Sequence, residues 1–137
     1  GGRRRLSTIA SGSSFGERAM KAFIAETRAE AARLHDALVG VAARADRVVA
    51  LLHYSPVEAT LRGERLEIYP FLGSHLLAEA IDTAGADLVL HGHAHKGSER
   101  GVTPGGVRVR NVAQQVIGHA YRVFDLRDPA AEDRSVA

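Results

Sequence analysis

Two short apolar runs, Arg47-Val-Val-Ala-Leu-Leu-His53 and Asp87-Leu-Val-Leu-His91, constrain this chain more than any other feature. Each is continuous, rich in β-branched residues and leucine, and too short for a helix. That pattern belongs to an interior strand of an α/β sheet, covered on both faces. Tyr54-Ser55-Pro56 ends the first run, because proline cannot donate to a strand ladder. A loop to about Gly73 follows. Ser74 then caps a helix over Leu76 to Ala84, with Leu77, Ala80 and Ile81 on one face, and Gly85 stops it. Strand, helix and strand in that order fit an α/β fold.

The flanks extend the same class. Ser14-Phe15-Gly16-Glu17 fits a capping box. The long helix expected behind it runs to about Val41 on a stripe of Met20, Phe23, Ala31, Leu34, Leu38 and Val41. Gly40 predicts fraying at its end, and Arg28, Glu30 and Arg33 fall on its wet face. Pro104-Gly105-Gly106 is a turn signal. Val107, Val109 and Val112 mark a third strand, and the alternation from Tyr121 to Leu126 a fourth. Gly1 to Ser14 reads as a Gly/Ser/Arg-rich leader, residues 15–126 as the folded portion, and 127–137 as a disordered polar tail.

Composition narrows the chemistry. At 137 residues there is room for one core, and 45% hydrophobic with 25% charged residues is a globular average. Zero cysteines exclude disulfides, thiolate metal sites and cysteine nucleophiles. No apolar run reaches a membrane span or resembles a signal peptide, so a cytoplasmic location is expected and no membrane partner. Nucleic acid is not the expected partner either. Arg3-Arg4-Arg5 is the one basic cluster, set in a Gly/Ser leader, and the chain has four Phe, three Tyr and no Trp to interleave with it.

Seven histidines remain to be placed. His53 ends the first apolar run, and the second runs directly into His91-Gly92-His93-Ala94-His95. Ligands in open α/β sheets gather at the carboxyl ends of strands, so His53, His93 and His95 are positioned to converge. Neutral imidazole suits Zn, Mn, Fe and Ni. A strand-end histidine taken alone also suits a core residue bonded to backbone. Two such ends, one bearing Gly-His-x-His, favour metal. His35, within the first helix, and His119, in a turn, are expected to face solvent, and His75 to lie on a helix surface.

His53-Tyr54-Ser55-Pro56 and Leu90-His91-Gly92-His93-Ala94-His95 resemble the last two motifs of the calcineurin-like metallophosphoesterases. Gly106 to Ala113 and Tyr121 to Leu126 resemble that family's closing strands. The resemblance implies a four-layer α/β/β/α sandwich around two divalent ions (Mn, Fe, Zn, Ni or Mg) and a phosphoester substrate, mono- or diester. His53 and His93 would hold one ion and His95 the other, while His91 would support the motif from behind. Ser55, Pro56, Ser74 and the 54–72 loop would border the substrate pocket. Paired ions of this kind clamp phosphate oxygens and lower the pKa of a bridging water.

The family's Asp-x-His, Gly-Asp and Gly-Asn-His motifs are absent, and Asn111 is the only asparagine. No catalytic residue is therefore assigned, because the histidine that protonates the leaving group belongs to a missing motif. Three imidazoles without a bridging carboxylate do not hold two ions about 3.5–4 Å apart. The expectation is the C-terminal half of a metallophosphoesterase domain, also suggested by the lack of an initiator methionine, with one ion or none bound by this chain alone and no activity in isolation. The missing half, or a second chain, would be its partner. Without it, exposed sheet edges predict self-association. The alternative is a non-catalytic metal- or partner-binding module derived from the same fold.

Overall fold

The computed structural model describes residues 16–127. Its elements, in order, are α1 (Glu17–Ala42), β1 (Val49–Leu52), 3-10 turns at Glu58–Leu61 and Leu66–Ile68, α2 (Tyr69–Leu72), α3 (His75–Ala84), β2 (Leu88–His91), β3 (Arg100–Val102), β4 (Arg108–Asn111) and α4 (Gln114–Ile117). The class is α/β, as expected. The four strands form one mixed sheet in the order β1-β2-β4-β3. β1, β2 and β4 are parallel, with Ala50, Val89 and Val109 level with one another, and β3 runs antiparallel to β4.

Side chains alternate across a strand, so Ala50, Val89 and Val109 share one face. Leu38 of α1 and Ile81 of α3 close over them, with Leu34, Leu52 and Ala84 packed around the rim. Only the middle of the α1 stripe is buried, at Ala31 and Leu38, while Met20 and Val41 are exposed. α1 begins at Glu17 with Gly16 as its N-cap, and the Ser14 and Phe15 of the expected capping box lie outside the described residues. Gly40 does not fray the helix, which continues to Ala42. Arg33 on its wet face pairs with Glu26 (2.7 Å) and Glu30 (2.5 Å).

Ser74 caps α3 as predicted, its hydroxyl accepting from the Leu76 amide, and Gly85 ends it at φ 89°. β2 is the buried interior strand the sequence predicts. β1 is not: it lies at the sheet edge, with Val49 39% and Leu51 77% exposed on the face away from α1 and α3. Apolar content alone does not distinguish a strand covered on both faces from one whose second cover is lacking.

One further expectation is corrected. Tyr121 to Leu126 forms no strand, and Tyr121 and Val123 are 78% and 70% exposed. The position beside β4 is occupied by β3, which hairpins back through the Pro104-Gly105-Gly106 turn. Asp82 of α3 fastens that hairpin, accepting from Thr103 Oγ1 (2.5 Å) and the Gly105 amide (2.8 Å). The expected leader lies outside the described residues, as does the tail beyond Arg127. No helix among the described residues is long and apolar enough to cross a membrane.

Candidate metal-binding histidine pair

β1 and β2 are adjacent and in parallel register, Leu52 beside His91, so their carboxyl ends open at the same level. His53 leaves the first and Gly92-His93 the second. Their imidazole rings meet, with centroids 4.4 Å apart and planes 36° from parallel. Tyr54 stands edge-on to both, 4.9 Å from His53 and 5.3 Å from His93. His93 Nε2 lies 3.2 Å from the Phe71 carbonyl, to which it donates.

His93 has φ 67° and is the one non-glycine residue with positive φ among those described. A side chain in that region costs roughly 1–2 kcal/mol, which the surrounding contacts hold in place. The turn itself is tight, with the Ala94 amide donating to the Gly92 carbonyl (2.8 Å).

His95, two residues on, is exposed. Among the described residues no three metal-binding side chains converge, so the fold brings His53 and His93 together and leaves His95 outside the pair. Two neutral imidazoles suit a borderline divalent ion as half of a tetrahedral shell. Two imidazoles are at most half of such a shell, so the pair by itself does not make up a two-ion site.

Behind the pair lies a buried polar relay. His91 is fully buried, its Nδ1 2.9 Å from the Gly92 carbonyl and its Nε2 2.8 Å from Thr60 Oγ1. A carbonyl only accepts, so Nδ1 carries the proton and Nε2 accepts from the Thr60 hydroxyl. Ser55 Oγ lies 2.7 Å from both Thr60 Oγ1 and the Val57 carbonyl and shares its one proton between them, while the Val57 amide donates to Ser55. Burial pushes the His91 imidazole below its ordinary pKa and the neighbouring His93 adds to this, against the bond to the Gly92 carbonyl. A neutral His91 is what the relay requires. Ser55 is almost wholly buried, with its hydroxyl held in this chain.

Asn111, the last residue of β4, closes the loop from the other side. Its side-chain amide donates to the Ala94 carbonyl (2.8 Å) and accepts from the Ala113 amide (3.1 Å). At Gly97 the loop passes so near the 54–61 segment that a Cβ would lie 2.2 Å from the Thr60 carbonyl. Thr60 and Asn111 thus fix the loops carrying both histidines. Sequence reasoning assigned neither this role: Asn111 reads as an ordinary strand residue, and Thr60 sits in a loop without periodicity. The remaining histidines stay outside the site. His75 and His119 are exposed, and His35 is partly covered beside Asp36 rather than fully solvated.

Comparison with protein-family models, with curated proteins and with solved structures found no match.

Proposed function

We propose that this chain forms the histidine-bearing half of a metal-dependent phosphoesterase site, in the manner of the calcineurin-like metallophosphoesterases and within one half of their four-layer sandwich. The reading rests on one observation: His53 and His93 leave the carboxyl ends of adjacent parallel strands with their rings 4.4 Å apart. In this reading the two imidazoles would hold one divalent ion, and His95 would serve a second only together with ligands from elsewhere. A divalent ion in such a place supplies Lewis acidity toward a phosphoryl oxygen. The chain's own residues do the positioning. The Ser55–Thr60–His91 relay and the Asn111 clamp support the two loops, and Tyr54 packs against both rings.

Phosphoester hydrolysis then requires a carboxylate and a proton donor contributed by a partner segment or chain, and the present chain alone is inactive. Calorimetric titration with Zn²⁺ or Mn²⁺ tests the reading. A single ion per chain is expected, lost in His53→Ala and in His93→Ala and retained in His95→Ala. Uptake unchanged in both of the first two variants would remove the site. Hydrolysis of p-nitrophenyl phosphate by the isolated chain at enzyme-like rates would overturn its dependence on a partner.

A further inference from the structure

A cavity of about 480 Å³ lies between α1 and the 54–74 segment, and the histidines themselves are not in its walls. Its walls include Phe23 and Thr27 of α1, Tyr54, Phe71 and Leu77. The volume is that of a small-molecule site. Two of these residues also touch the histidines. Tyr54 is edge-on to both rings, and Phe71 gives its carbonyl to His93 while its own ring meets that of Phe23 at 5.7 Å. Tyr54 and Phe71 are each 46% exposed, so aromatic surface that a core would cover is left facing this hollow.

The charged residues that line the cavity are both acidic. Glu26 and Glu30 line it, both paired with Arg33, and no Lys, Arg or His is among its lining residues. A phosphate group is therefore disfavoured inside it, whereas a flat apolar ring gains contact with three aromatic walls. A ligand carrying both parts is oriented by this difference, its phosphate toward the imidazoles and its ring toward Phe23.

We infer that this cavity binds the aromatic moiety of the substrate's alcohol, so that the phosphoesters served by this site are aryl-bearing ones. The inference rests on the phosphoesterase reading for the phosphate end but not for the ring end. Ligand-observed NMR on the full chain separates the two, with 1-naphthol, 1-naphthyl phosphate and inorganic phosphate as probes, each with and without Zn²⁺.

1-Naphthol is expected to bind without metal, inorganic phosphate not to displace it, and Zn²⁺ to tighten 1-naphthyl phosphate alone. Phe23→Ala should weaken 1-naphthol about tenfold, the loss of one aromatic contact. Thr27→Trp, which fills the cavity from an exposed stretch of α1, should abolish binding, and it decides the matter should Phe23→Ala fail to fold. No 1-naphthol binding, or binding unaltered in a folded Thr27→Trp, overturns the inference whatever the zinc result. Intact 1-naphthol binding without zinc uptake overturns the functional reading and leaves the cavity assignment standing.

Discussion

The Thr60 hydroxyl donates to His91 Nε2 across 2.8 Å and thereby ties the loop after β1 to the end of β2. Both groups are fully buried, so neither has water as an alternative partner. Thr60→Val keeps the shape and removes the hydroxyl. It should cost about 1–3 kcal/mol, the penalty for a buried acceptor left without a donor, whereas Thr60→Ser should cost markedly less. Urea unfolding measures both, and equal losses for Val and Ser would show that packing rather than the hydroxyl matters there.

Asp87 should make stability pH-dependent. Its carboxylate accepts from the Val48 amide (2.7 Å) and Arg47 Nη1 (3.0 Å). The Val48 bond chiefly, with Arg47 and Arg108 assisting against burial, holds its pKa below the usual carboxylate value. A depressed folded-state pKa gives stability that is fully present above the unfolded value near 3.9 and lost as pH falls through the folded one. Asp87→Asn should therefore be less stable than the parent by roughly 1–2 kcal/mol at neutral pH. The gap should close in acid below the folded-state pKa, followed by thermal melts across pH, and a gap of constant size would refute the linkage.

His93 gives a test of strain. Glycine adopts φ 67° without penalty, so His93→Gly should retain or raise stability, by roughly 1 kcal/mol, while losing metal uptake. A loss of stability greater than that would mean that the bond from Nε2 to the Phe71 carbonyl outweighs the backbone cost.

What the sequence made legible was local. Ser74 and Gly85 mark the ends of α3 because a cap hydroxyl and a positive φ are properties of single residues. Strand-end positions pointed to a meeting of His53, His93 and His95, of which the parallel register of β1 and β2 brings only the first two rings together. The partners of each strand were not legible. Arg100-Gly101-Val102 carries almost no strand signal, yet it takes the position beside β4 through the hairpin, and the better alternation at Tyr121 to Leu126 pairs with no strand among the described residues. The Thr60 relay and the Asn111 clamp join residues far apart in the chain, and no window of sequence displays them.

The exposure of Leu51 bears on the assembly of the chain. Among the described residues β1 has β2 as its only strand partner, and Leu51 projects from it 77% exposed beside Val49 on the face that α1 and α3 leave open. An edge strand with apolar side chains and an unpaired ladder recruits other strands. The parent protein should therefore self-associate as its concentration rises. Leu51→Lys places a charge on that face, where an exposed substitution costs no more than about 0.5 kcal/mol, and should keep the chain monomeric. Sedimentation velocity over a concentration series decides it. A parent that stays monomeric throughout, or a Leu51→Lys variant that associates equally, would show that this edge is not the adhesive surface.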